Sequence, residues 1–386
     1  MGALTVRICA TLSDVEPALW DALVGDASPF LEWGWLASLE DAGCVARQTG
    51  WLPQHVTLWD RGRLVGACPL YVKGHSQGEF VFDHAWADAA SRAGLAYYPK
   101  LLVAAPFTPA AGPRLLVAPS ADADVVRRQL AAVLKDVCTA SGFSSVHVNF
   151  CRPDEVDLLA DAGFLHRLGY QFQWHNPGWR TFDDYLNAFR SKRRVQIKRE
   201  RRELDAQGIT ITPYTGAEIA DELFDPMFRI YKTTIDKLFW GRQYLNRELF
   251  ELLRIRWRHR LCFFAAHRGD TLVAGAVTVR KGDTLYGRYW GAFEECRHLH
   301  FNVCYYAPIE YCLREGLSRF EPGAGGEFKQ LRGFDARPTH SMHFVADPGL
   351  AGAVRRYLVK ERAATREEIE WLQRQSAIKA PPTADA

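Results

Sequence analysis

Between Glu321 and Phe344 the chain reads EPGAGGEFKQLRGFDARPTHSMHF, a run dense in groups that can bind anions or move protons. Gly323, Gly325 and Gly326 allow the backbone to approach a ligand closely and to expose N–H groups to anionic oxygens. A helix expected to start at Glu327 adds its positive end. Lys329 and Arg332 then fall one turn apart on one face, suited to gripping phosphate or a developing negative charge. Arg337 follows them. His340 and His343 lie in an alternating run that reads as a strand, so they point to opposite faces and one at most can serve a given pocket.

Four further sets of residues carry chemistry. Asp83 and His84 are adjacent, and a carboxylate or imidazole at the end of a strand expected over Phe80–Phe82 can act as general base. Nearby stand Tyr98, a phenol able to protonate a leaving thiolate, and Lys100. Gly112 and Arg114 lie in VAAPFTPAAGPRL (Val103–Leu115), a Pro/Gly loop placed to form a ligand crevice. Arg288 and Trp290 share one side of a strand, where a guanidinium beside an indole suits a phosphate or carboxylate bearing a ring. Glu310, on the next helix, can pair with Arg288 or serve as a base. From Arg190 to Arg202 there are eight Lys or Arg against one Glu. Lys192 and Arg193 open that helix, where donors and dipole converge on anions. Phosphate gripping is the favoured reading, with RNA binding open beside it.

The elements that must position these groups read as mixed α/β. The first half orders as strand, two helices (the second over Pro29–Ala42), a hairpin, strands around a Pro/Gly loop, the helix Val125–Ala140, the strand Ser144–Phe150 and the strand Leu165–His175. The second half repeats that order: a strand at Ile209–Pro213, helices near Ala217–Lys237 and Leu245–Arg258, strands to Gly291, the helix Asn302–Glu315 and a strand running into the glycine cluster. Two copies of one α/β unit follow, residues 1–178 and 179–376, with a disordered tail over 377–386. Ligand crevices in such sheets lie at the carboxyl ends of central strands.

Composition narrows the classes. A chain of 386 residues is comfortable for two cores, and a formal net charge of +3 excludes a global polycation. Nine scattered cysteines without a CxxC pair read as reduced thiols, and no metal site is expected. The N-terminus lacks a basic region followed by an apolar core, and no later stretch reaches membrane-spanning length, so a cytoplasmic protein without membrane insertion is expected.

DHAWADAASRAGLAYYPKLLVAAPFTPAAGPRLL, FRSKRRVQIKRERREL, YGRYWG and EPGAGGEFKQLRGFDARPTHSMHF together resemble the Fem-like family of tandem GNAT-type acyltransferases, the peptidoglycan biosynthesis or recognition proteins. The resemblance covers nearly the whole chain. It implies two tandem GNAT-like domains, each a mixed sheet flanked by helices, and bacterial acyl transfer by direct attack of an amine on an activated carbonyl. Fem aminoacyltransferases carry a lysine after a glycine-led turn in their second domain, and Lys329 in GGEFK matches it. Neither TPAAGPRL nor the loop near Arg297 reproduces the GNAT pyrophosphate-loop pattern. The implied donor is acyl-CoA (acetyl-CoA or longer) or aminoacyl-tRNA, the acceptor a small molecule or cell-wall precursor, and a non-catalytic ligand-binding pair is the remaining class.

Overall fold

The structure is a computed structural model that describes residues 4–237 and 242–379. Its first part runs β1 (Thr5–Cys9), α1 (Pro17–Val24), α2 (Trp33–Asp41), β2 (Trp51–Pro53), β3 (His55–Asp60), β4 (Arg63–Cys68), β5 (Leu70–Lys73), α3 (His84–Arg92), β6 (Lys100–Val103), β7 (Leu116–Val117), α4 (Ala123–Ala140), β8 (Ser145–Cys151), α5 (Pro153–Asp161) and β9 (Leu165–His175). There follow α6 (Phe182–Asn187), α7 (Ser191–Asp205), β10 (Ile209–Thr215), α8 (Phe224–Lys237), α9 (Arg247–Arg256), β11 (Leu261–Arg268), β12 (Thr271–Lys281), β13 (Thr284–Ala292), α10 (Leu299–Phe301), α11 (Ala307–Arg314), β14 (Arg319–Glu321), β15 (Asp335–Val345) and α12 (Pro348–Arg374). A π-helical turn, Asn302–Tyr306, joins α10 to α11.

Two compact units emerge: Met1–Tyr170 with Pro338–Glu367, and Gln171–Arg337 with Glu368–Ala386. The expected linear boundary near residue 178 therefore gives way to an interleaved one. Most of β15 returns to the first unit because Ser341–Val345 pair with β8, a long-range pairing that element order does not reveal.

In the first unit β15, β8, β6, β5 and β2 are neighbours in that order, and β6 and β8 are parallel. A smaller sheet orders β1, β3, β4, β7. Every residue of β8 is buried, as a strand covered on both faces requires. α4 starts where the Asp122 side chain accepts from the Val125 N–H, and it lays Val126, Leu130 and Leu134 into the core beside Val146 and Val148. In the second unit the order is β10, β11, β12, β13, β14 and the end of β9, antiparallel except for the β13–β14 pair.

Local departures have local causes. Phe80 takes φ +59° and Asp83 stands at the start of α3, so Phe80–Phe82 form no strand. The expected helix over Pro29–Ala42 is a 3-10 turn, Pro29–Leu31, then α2 after Glu32 adopts extended backbone. Residues 377–379, expected in a disordered tail, are anchored: Ile378 bridges Phe189 and the Lys379 N–H donates to Ala188 O at 2.8 Å. The rest of that expected tail, 380–386, lies outside the described residues.

Candidate active site

Parallel strands that stop pairing leave a gap between them, and among the described residues each unit has one such pair. In the first unit β6 pairs with β8 from Leu101↔Val146 to Val103↔Val148, then ends. The loop that follows turns back and seals the opening. Arg114, fully buried, donates from Nε to Asn149 O (2.7 Å) and from Nη2 to Ala110 O (2.7 Å), while Glu155 accepts from the backbone N–H of Arg114 and Leu115. A Cβ on Gly112 would lie 2.8 Å from Ser28 Cβ. The expected crevice at Gly112 and Arg114 is therefore filled by its own loop. Arg114 satisfies protein carbonyls there and leaves the binding role expected of it unsupported.

The second unit differs. β13 and β14 pair only over Thr284↔Arg319 to Tyr286↔Glu321, after which β13 runs on to Ala292 and the chain leaves β14 through the glycine cluster. A cavity of about 280 Å³ opens there, lined by Thr278, Gly287–Trp290, His300, Cys304, Tyr305, Pro322–Gly326, Phe328 and Lys329. Gly287 is needed at its edge, because a Cβ would sit 3.1 Å from Pro322 Cα. Gly323, Gly325 and Gly326 all hold positive φ, the region side chains avoid.

Lys329 closes one wall. Residues Glu327–Arg332 form a 3-10 helix rather than the expected α-helix, and six residues give little dipole to draw anions. The Lys329 side chain, 3% exposed, folds back so that Nζ donates to Gly323 O (2.6 Å) and Ala324 O (3.2 Å). The glycine turn thus presents carbonyls to the ammonium, where N–H groups facing a phosphate were expected. An ammonium has three donors, so one is left for a ligand. Burial pushes its pKa down to about 8.

Another part of the lining is aromatic. Trp290 and His300 have ring centroids 4.3 Å apart, and His300 and Tyr305 5.3 Å. Burial, with the Arg332 and Lys329 charges, holds His300 near 4, hence neutral at physiological pH. Burial raises the Cys304 thiol far above its usual range, so it is no thiolate nucleophile. His300, Tyr305 and Cys304 escaped the sequence reading. The available signal was the aromatic run HFNVCYY, whose π-helical turn is a geometry frequent at functional sites.

Arg288, Trp290, Gly325, Gly326 and Lys329, read from separate stretches of the sequence, line this one cavity. The Glu327 side chain lies outside the described residues. Arg332 is not with them: 2% exposed, its Nη2 donates to Glu200 Oε2 (2.9 Å), Nη1 to Phe328 O (2.9 Å), and its guanidinium carbon lies 3.4 Å from the Phe301 ring centroid. Its role is to brace the wall. Glu310 is exposed and pairs with Arg201 at 2.7 Å, away from the cavity and from Arg288. Arg337 is exposed, Lys192 likewise, and Arg193 donates to Gln196 Oε1 at 2.9 Å within α7.

The remaining candidates belong to the first unit. Lys100 Nζ, fully buried, donates to Ser76 Oγ (2.8 Å), Glu79 Oε2 (2.8 Å) and Asp83 Oδ2 (2.5 Å), and Tyr97 donates to the same Asp83 oxygen (2.6 Å). Tyr98 shares a hydrogen bond with Ser76 at 2.8 Å. Burial would raise Asp83, but the Lys100 and His147 neighbours overcome it and hold the carboxyl below its usual range. That is the signature of an internal ion pair, which corrects the reading of Asp83 as a base and of Lys100 and Tyr98 as ligand contacts. His84 is exposed at the start of α3 and forms no dyad with Asp83. His340 and His343 do separate: His340 pairs with His166 (3.0 Å), His343 with His147 (2.8 Å) and Ser341 (2.9 Å), and neither lines the cavity.

Comparison with known proteins decides the family. Residues 11–380 match FemAB-like proteins, described as peptidoglycan biosynthesis/recognition. The chain belongs to the FemAB-like family. Among solved structures, this FemAB-like protein is similar to FemX (12% identity, TM-score 0.55, covering 88% of this chain and 98% of that one). It is also similar to L-PGS from Bacillus licheniformis (8%, 0.53, 91% and 96%) and to a conserved protein of unknown function from Bacteroides thetaiotaomicron (14%, 0.52, 88% and 100%). At these identities the likeness establishes the shared fold, and the mixed α/β architecture of both units agrees with it. A search of curated protein sequences found no match. Among the described residues of this FemAB-like chain, no helix is long and apolar enough to cross a membrane.

Proposed function

We propose that this FemAB-like protein is a transferase that moves an acyl or aminoacyl group from an activated ester or thioester to an amine acceptor, using the second unit's cavity. One observation carries the reading: of two comparable openings beside parallel strands, the first is plugged by Arg114 and its loop, while the second holds a buried, partly unsatisfied ammonium at Lys329.

The chemistry needs no covalent enzyme intermediate. An uncharged amine attacks the donor carbonyl, and the tetrahedral oxyanion faces the third Lys329 N–H, a donor fixed in advance by two carbonyls. The amine's proton passes to solvent. The C–O or C–S bond then breaks, and the leaving group takes up a proton. A cavity near 280 Å³ is small for a whole cofactor, so it suits the reacting ends of larger substrates brought into register. The acceptor that fits the family description is an amine of a cell-wall precursor.

The donor is acyl-CoA or an aminoacyl-tRNA. The second is favoured by α7, whose Lys192, Lys198 and Arg202 are all exposed. Incubation of the purified protein and a cell-wall-precursor amine with acetyl-CoA, a long-chain acyl-CoA or charged tRNA, followed by mass detection of the acceptor, tests both. An acylated acceptor with any one donor supports the reading. Donor or acceptor binding without any mass gain leaves a ligand-binding protein and overturns it.

A further inference from the structure

The 3-10 helix Glu327–Arg332 is turned inside out. At three residues per turn, Phe328 and Leu331 share one side of it, and Lys329 and Arg332 share another. A surface helix ordinarily faces its apolar side inward and its charges outward. Here Lys329 and Arg332 are 3% and 2% exposed, while Phe328 and Leu331 are 56% and 40% exposed. The buried cations are met by Gly323 O, Ala324 O and the Glu200 carboxylate. Holding two large apolar side chains largely in water, by contrast, gives up the stabilisation that burial brings.

That outward pair continues a track of rings that begins inside the cavity. Trp290 stands 4.3 Å from His300, His300 5.6 Å from Phe301 and Phe301 6.0 Å from Phe328, centroid to centroid. Phe328 itself lines the cavity. Of the lining residues, the exposed ones are Ala324, Gly325, Gly326 and Phe328, none of them charged. A cavity of about 280 Å³ takes only the reacting ends of a substrate, so what is attached to the reacting carbon leaves along this track and over this lip.

We propose that Phe328, Leu331 and the ring track receive a large apolar substituent on the donor's carbonyl carbon: the chain of a long acyl group or the side chain of an apolar aminoacyl group. Such a substituent begins beside the carbonyl that Lys329 faces and meets the track from inside. Stacking of a donor's adenine on Phe328 is the competing case, which unacylated donors test. Placing the donor carbonyl at Lys329 rests on the transferase reading, whereas the test reads binding, so the two fail separately.

Titration without acceptor tests it, comparing CoA, acetyl-CoA and octanoyl-CoA by calorimetry, and uncharged, glycyl- and leucyl-tRNA by filter binding. Octanoyl-CoA or leucyl-tRNA should bind at least about tenfold more tightly than its short and unacylated counterparts. Whichever series shows the preference identifies the source of the apolar group. The Phe328→Ser/Leu331→Ser double variant should lose that preference. Both positions are exposed, and Leu331→Ser alone replaces the double variant if circular dichroism shows it unfolded. Equal binding across both series, a preference kept in the variant, or no saturable binding would each overturn the proposal. Preferential binding by a protein that acylates no amine would sink the transferase reading alone, and transfer without any preference would sink this proposal alone.

Discussion

Glu200, on the buried side of α7, accepts from the Arg332 guanidinium at 2.9 Å and from the Tyr306 hydroxyl, so one carboxylate ties together the segment bearing Lys329 and the π-helical turn of the cavity wall. Removing one partner strands the other in a dry interior. Arg332→Met should therefore cost about 3–5 kcal/mol of stability in urea unfolding. Burial pushes Glu200 up, but the Tyr306 and Arg332 contacts outweigh it and hold its carboxyl below the usual value. Its contribution is thus present above the unfolded carboxylate range and lost as pH falls through the folded value. A Glu200→Gln variant should show a shallower acid limb than wild type, and an unchanged limb would show that the pair contributes nothing.

The buried set around Lys100 should behave as structure only. One ammonium stands between two carboxylates, Asp83 stays ionised, and burial pushes Glu79 up to about 7. Folded Glu79 therefore keeps a proton that the unfolded chain releases, and this part of the stability falls as pH rises from about 4.5 to 7. Glu79→Gln should flatten that slope in thermal unfolding. Lys100→Met, which strands Asp83, should destabilise by about 3–5 kcal/mol and leave transfer per folded molecule unchanged.

On the proposed mechanism Lys329 sets the alkaline limb of transfer. If its ammonium steadies the oxyanion, kcat/KM should fall as pH rises through about 8. Lys329→Arg keeps the charge and should move that limb to higher pH, although the acceptor amine sets the opposite limb. Identical alkaline limbs in wild type and Lys329→Arg would assign the limb to another group.

Close packing against β13 supplies a stability test. A Cβ on Gly291 would lie 2.1 Å from Ile230 O and 2.2 Å from Thr233 Oγ1, where α8 crosses the strand. Backbone cannot swing aside as a side chain can. Gly291→Ala should lose about 1–3 kcal/mol or more, read as a lower urea midpoint, whereas His84→Ala, at an exposed position, should stay within about 0.5 kcal/mol.

Much of the fold was legible where periodicity and capping agree. β9 spans Leu165–His175, the strand expected there. In the second unit the glycine cluster, Arg288, Trp290 and Lys329 meet in one cavity, because glycine spacing and strand alternation are local properties. Pairing across long sequence separations was not legible. Arg332 reads as an anion grip until Glu200, 132 residues away, is seen to take its charge. Asp83 reads as a base until Lys100 meets it from the next strand. The return of residues 338–367 to the first unit likewise depends on β15 meeting β8.

If transfer occurs in the cavity closed by Lys329, mass-detected acylation of the acceptor amine separates wild type from folded Lys329→Met. Loss of a fixed oxyanion donor should lower the rate about 100-fold or more. A Lys329→Met protein that transfers at the wild-type rate would contradict the account.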